Sequence, residues 1–134
     1  MSSIIELENI SKTYGNITAL DQVNLKIQKG EMFSLLGPNG SGKTTLLRIM
    51  AGIEKPTNGE IRFNGAKVDE SNIKDARSKT TMVFQKTALF STSVSKNIAY
   101  GLRLRGYSKK ETEDKIKEVL KTVKLEGYEK RPAK

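Results

Sequence analysis

One glycine-rich run constrains this chain more than any other feature. Gly37-Pro38-Asn39-Gly40-Ser41-Gly42-Lys43-Thr44 follows the pattern G-x-x-x-x-G-K-[ST]. In front of it, Glu31-Met32-Phe33-Ser34-Leu35-Leu36 reads as a short and mostly apolar strand, which implies a sheet covered on both faces. Behind it, Lys43 to Ala51 carries Leu46, Leu47 and Met50 at helical spacing, with Gly52 placed as the stop. Strand, glycine-rich turn and helix, in that order, separate a phosphate-binding loop from a chance match. Glycines let successive backbone N–H groups turn in around an anion, and the helix N-terminus adds its partial positive charge. Lys43 is then expected to reach the β- and γ-phosphates of a nucleotide. The Thr44 hydroxyl is expected to serve Mg²⁺, which prefers oxygen ligands.

The remaining pattern is mixed. Ile5, Leu7 and Asn9 alternate with their neighbours, as do Val23, Leu25 and Ile27, and both stretches predict half-buried strands. Tyr14-Gly15-Asn16 and Lys29-Gly30 predict turns, and Pro56-Thr57-Asn58-Gly59 predicts another before a strand over Glu60 to Phe63. Thr80-Thr81-Met82-Val83-Phe84 predicts a further strand. From about Ser93 the pattern becomes helical. Ser108 and Glu111 have the spacing of a capping box, and Ile116, Val119, Leu120 and Val123 form the apolar stripe that follows. The fold class is α/β.

Composition excludes several kinds of chemistry. With no cysteine and no histidine among 134 residues, disulfides, thiolate catalysis and histidine-based nucleophiles or metal sites are absent. No apolar run is long enough for a membrane helix, Met1-Ser2-Ser3 lacks the features of a signal peptide, and a cytoplasmic protein is the default. The net charge of +9 suggests anionic partners such as phosphates, nucleic acid or lipid head groups. The charge-rich tail mixes both signs along a helical pattern, so a solvated helix face competes there with a nucleic-acid stripe.

Two more residues gain meaning from the loop. Tyr14 lies in a turn where its ring could stack on a nucleotide base, or simply pack on the surface. Gln85 follows an apolar strand, so its amide oxygen could serve as a metal or water ligand, or belong to a plain loop.

Taken in order, Lys12-Thr13-Tyr14-Gly15, Ala19-Leu20, Lys29-Gly30-Glu31, Leu36 through Leu47, Ala51-Gly52-Ile53, Pro56 through Ile61, Val83-Phe84-Gln85 and Asn97 through Leu102 resemble the ATP-binding subunit of ATP-binding-cassette (ABC) transporters. The resemblance covers the whole chain. It implies a P-loop NTPase fold of the ABC type, truncated before the signature helix and the Walker B strand. Residues 1–85 would form the N-terminal part of the nucleotide-binding core, with antiparallel strands and the Walker A loop. Residues 86–134 would carry the Q-loop and an incomplete helical subdomain, whose groove receives a coupling helix from the membrane subunit.

The resemblance also implies roles. Tyr14 stacks on adenine, and Gly37, Pro38, Asn39, Gly40, Ser41, Gly42, Lys43, Thr44 and Thr45 hold the phosphates. Gln85 contacts Mg²⁺ and the attacking water, so Lys43 and Gln85 are the catalytic candidates and Thr44 and Gln85 the metal ligands. The cofactors implied are ATP and Mg²⁺. The partners implied are a transmembrane permease subunit and either a second ATPase subunit or a complementary C-terminal fragment, at the inner face of the cell membrane. The stretch Phe84 to Val94, with Gly101 to Gly106, is most similar to importers of oxyanions of the tungstate or phosphate type. No part of the sequence matches the family's signature, its Walker B Asp-Glu or its H-loop histidine. The expectation is therefore a chain that binds nucleotide without hydrolysing it alone; the alternative is a non-catalytic or remnant module that pairs with a complete homologue. Nucleic acid is not an expected partner.

Overall fold

A computed structural model describes residues 3–86 and 88–134. Met1 and Ser2, of the start that lacks signal-peptide features, and Thr87, within the stretch similar to oxyanion importers, lie outside the described residues. The chain divides into two compact units, 1–82 and 83–134.

The first unit is built on a long hairpin of β1 (Ser3–Tyr14) and β2 (Ile17–Gln28). β3 (Asn58–Phe63) and the short β4 (Ala66–Lys67) complete an antiparallel sheet of order β2-β1-β3-β4. The simple alternation expected through Asn9 does not hold. The ladder shifts register between Leu7 and Ile10, Asn9 takes a left-handed φ of 51°, and the buried residues are Leu7 and Ile10. The shift is pinned by a reciprocal amide pair. Asn9 N–H donates to Asn24 Oδ1 at 2.9 Å, and Asn24 Nδ2 donates to Asn9 Oδ1 at 3.1 Å. Gly59, expected in a turn, is a strand residue at φ 98° facing this bulge, where a Cβ would lie 2.5 Å from the Asn9 carbonyl. Only glycine fits there.

Helix α1 (Lys43–Met50) covers one face of the sheet. Its buried residues are Leu46 and Ile49, which join Leu7, Ile10 and Leu20 in the core. Of the expected stripe, Leu46 is correct and Met50 packs at the margin, while Leu47 faces out and Ile49 takes its place. The short α2 (Ile73–Ser78), not expected from the sequence, closes over the end of α1. Arg77 Nε donates to the Gly52 carbonyl at 2.6 Å and the Thr80 hydroxyl to the Ala51 carbonyl at 3.1 Å.

Two expected strands are absent. Residues 31–36 and 80–84 take no part in any ladder among the described residues. An extended run becomes a strand only when a neighbour accepts its hydrogen bonds, and the four strands present pair only with one another. The first run is consequently not covered on both faces. Leu35 reaches the core, but Met32 and Leu36 are each 94% exposed.

The second unit pairs α3 (Val94–Leu104) with α4 (Lys109–Thr122). Ser108 caps α4 as expected and the capping box is complete, while Ser93, near which the sequence pattern becomes helical, caps α3. Glu111 N–H donates to Ser108 Oγ at 3.3 Å, and Ser108 N–H donates to Glu111 Oε2 at 2.8 Å. Ala99, Ile116 and Leu120 form the core of this unit. Val119 and Val123 of the expected stripe face outward. Asn97 anchors the segment before α3, its amide binding both the N–H and the carbonyl of Phe90.

Candidate functional site

The glycine-rich run folds into a loop that leads directly into α1. Gly37, Gly40 and Gly42 have φ values of 154°, 83° and 83°, a region that other residues rarely adopt. At Gly42 the constraint is also steric, because a Cβ would press on the Ala19 carbonyl and lie 2.8 Å from Leu20 Cδ2. The loop is thus seated against β2 by its smallest residue. Ser41 N–H donates to the Pro38 carbonyl at 3.3 Å and Leu46 N–H to the Gly42 carbonyl at 2.9 Å, closing the loop and the first helical turn.

Lys43 points back into the loop. Its Nζ donates to the carbonyls of Gly37 at 2.8 Å and Pro38 at 2.6 Å and meets Ser41 Oγ at 3.2 Å. The ammonium therefore lies inside the curve of the backbone, where an anion would gather it. α1 starts at Gly42 with no side-chain cap and no acidic residue in its first turn. Its leading N–H groups and dipole remain available to a negative ligand. Thr44 is exposed at this helix start and Thr45 is half-buried beside it, with Asn39 and Gly40 at the open tip.

Tyr14 ends β1 in the same unit and is 42% exposed. Its hydroxyl donates to the carboxylate of Glu54, and Lys12 Nζ sits 5.1 Å from its ring centroid. Lys12 also pairs with Glu54 Oε1 at 3.2 Å. The Tyr14 hydroxyl holds the Glu54 carboxyl below its ordinary range, partial burial opposes this, and Lys12 and Arg48 add to the lowering. Glu54 escaped the sequence reading because no local pattern marks it; its partner is 40 residues away. Gln85 belongs to the second unit, where it lies exposed in a bend. Among the described residues no three acidic, histidine or cysteine side chains gather as a metal site.

The loop sets an inward lysine beside the open start of a helix, an arrangement that suits an anion. The family model for the ABC transporter matches residues 20–134. The chain belongs to the ABC transporter ATP-binding family. An Fe(3+) ions import ATP-binding protein of Pectobacterium atrosepticum is 48% identical over 130 residues, covering 96% of this chain and 36% of that protein. A spermidine/putrescine import ATP-binding protein of Clostridium novyi is 43% identical over 130 residues, with 96% and 37% covered. A dimeric ATP-binding cassette solved in a post-hydrolysis state with ADP and phosphate superimposes with a TM-score of 0.83 at 32% identity, over 96% of this chain and 61% of that one. The fold is accordingly that of an ABC-type P-loop NTPase, and the chain spans little more than a third of the length of these curated relatives.

Proposed function

We propose that this chain is the nucleotide-binding part of the ATPase subunit of an ABC importer. The observation that carries the reading is the phosphate loop itself, with Lys43 drawn into its curve beside the uncapped start of α1. In this reading the backbone of residues 37–45 and the Lys43 ammonium bind the phosphates of ATP, and Tyr14 meets the base. The donor set also suits Mg²⁺. Thr44 offers a neutral hydroxyl at the start of α1, so the ion would be held mainly by phosphate oxygens and water; Gln85, the other ligand the resemblance implies, belongs to the second unit.

Import is supported by the names of the relatives above, which are import ATP-binding proteins. Those names concern iron and polyamines and lend no support to an oxyanion cargo, so the reading stops at importer. The partners proposed are a transmembrane permease subunit and a second ATPase subunit, at the inner face of the membrane; no described helix is itself long and apolar enough to cross it. The exposed Met32 and Leu36 support a further element of the ATPase domain over residues 31–36, supplied in the same polypeptide or as a complementary fragment.

By itself the 134-residue chain is expected to bind ATP without turning it over. Catalysis in this family resemblance needs a Walker B carboxylate pair and a histidine, and the sequence contains no histidine and no match to that pair. Calorimetric titration with ATP and Mg²⁺ tests binding, with Lys43→Ala expected to weaken it about tenfold to a hundredfold. Equal affinity in the variant would remove the phosphate-loop reading, and steady phosphate release at ~1 s⁻¹ or faster would remove the second claim.

A further inference from the structure

Lys12, Tyr14 and Glu54 form a cluster that phosphate binding does not require. A tyrosine at a hairpin end with much of its surface exposed is free to change rotamer unless something holds it. Here two attachments do. The hydroxyl donates to the Glu54 carboxylate, and the Lys12 ammonium lies over the ring. Lys12 is fixed in turn by the Lys55 carbonyl at 2.8 Å and by Glu54 Oε1 at 3.2 Å. The Lys12 and Glu54 side chains are only 16% and 19% exposed, so this is no loose surface pair.

The cluster is also tied to the phosphate loop. Ile53 and Glu54 N–H groups both donate to the Arg48 carbonyl, at 2.9 and 3.2 Å, which fastens Glu54 to the C-terminal end of α1. The other end of α1 begins at Gly42, seated on Ala19 and Leu20 of β2. Leu20 pairs with Lys12 across the hairpin. Loop and ring are therefore joined by two rigid spans, one through α1 and about 12 Å long, one across the β1–β2 ladder.

We propose that Glu54 is a positioning residue. Together with Lys12 it holds the Tyr14 ring at a set angle to the phosphate loop, so that the ring meets the base of a nucleoside triphosphate whose phosphates occupy that loop. This rests on the reading that Tyr14 carries the base. The function of Glu54 is then visible only with ligands that have a base, since a free polyphosphate touches the loop alone.

The test compares ATP with inorganic tripolyphosphate, both with Mg²⁺, by calorimetry on the full chain. Glu54→Ala is expected to weaken ATP about tenfold, the size of one lost charge-assisted hydrogen bond, and to leave tripolyphosphate unchanged. Glu54→Gln keeps an acceptor for the Tyr14 hydroxyl and should recover most of the loss. Tyr14→Phe, which keeps the ring and removes the tether, should match Glu54→Ala, and the double variant should be no worse than either. An unchanged ATP affinity in Glu54→Ala, or an equal loss for both ligands, overturns the proposal. Tyr14→Ala separates the two claims. If it lowers ATP relative to tripolyphosphate while Glu54→Ala does not, the base reading stands and the positioning role of Glu54 fails. If Tyr14→Ala leaves the ratio unchanged, the base reading fails and takes the proposal with it.

Discussion

The phosphate loop and the Tyr14 turn lie in one unit and are built on opposite plans. Inside the loop the bonds of the Lys43 ammonium are local: among the described residues it reaches back to Gly37, Pro38 and Ser41. The Tyr14 cluster depends on a carboxylate 40 residues further along the chain. A local device is set by the short-range conformational preferences of its own residues. A device of distant parts exists only once the sheet and α1 have formed, and it is the part a single surface substitution can loosen without unfolding anything.

The sharpest way to break this contrast is at Gly42, where the local device leans on the sheet. A Gly42→Val variant must hold a β-branched residue at φ 83° and push its Cβ into the Ala19 carbonyl. Backbone strain alone costs about 1–3 kcal/mol, and the collision adds to it. Thermal unfolding of the variant should show clear destabilisation, and tripolyphosphate binding should disappear. Wild-type binding in this variant would show that the loop does not need its seat on β2.

Next in size is Lys43→Ala. Among the described residues the Lys43 ammonium bonds only within the loop, so its loss should leave the melting temperature nearly unchanged while weakening ATP and tripolyphosphate alike. The expected loss is about tenfold to a hundredfold, as for a hydrogen bond to a charged group. That equal loss is the mirror image of the ATP-selective loss expected at Glu54. A ligand-selective effect at Lys43 would dissolve the division between a phosphate end and a base end.

A smaller effect follows from protonation of Glu54. Its carboxyl is held below the ordinary value of 4.5, first by the Tyr14 hydroxyl. A carboxyl depressed by folding stabilises fully above its unfolded value, and that contribution is lost as pH falls through the folded value. The melting temperature of wild type should therefore exceed that of Glu54→Gln near neutral pH, with the gap closing as pH drops below 4.5. A gap that persists unchanged to pH 3 would mean that charge at Glu54 does not hold the cluster.

The same division between local and distant contacts decides how much of the molecule could be read from its sequence. The loop, α1, the hairpin and the α4 capping box were all legible, because each is specified by neighbouring residues. The Asn9 bulge was not, since it needs Asn24 beside it and Gly59 opposite. Helix α2 offers only Ile73 and Ala76 as an apolar repeat, too little to show a period. Residues 31–36 and 80–84 misled for a different reason. An apolar run states that a strand would be buried if it were paired, and no described strand pairs with either. At the candidate site, the loop and Tyr14 stand out in the sequence, whereas the contacts of Glu54 with Tyr14 and Lys12 exist only in the fold.

The capping box of α4 provides the smallest and most local test. Ser108 and Glu111 bond to each other's backbone across three residues, and Ser108 holds the Glu111 carboxyl below its usual range. Nothing distant takes part. Ser108→Ala should cost about 1 kcal/mol at that helix end. It should be read as a roughly fivefold fall in hydrogen-exchange protection for the first amides that α4 bonds internally. Titrations with ATP and tripolyphosphate should be unmoved. If protection instead fell throughout the second unit, the box would be holding more than its own helix, and the rule that local devices fail locally would break here first. If ATP affinity moved as well, the separation drawn between the phosphate loop's own residues and the rest of the chain would need to be redrawn to include α4.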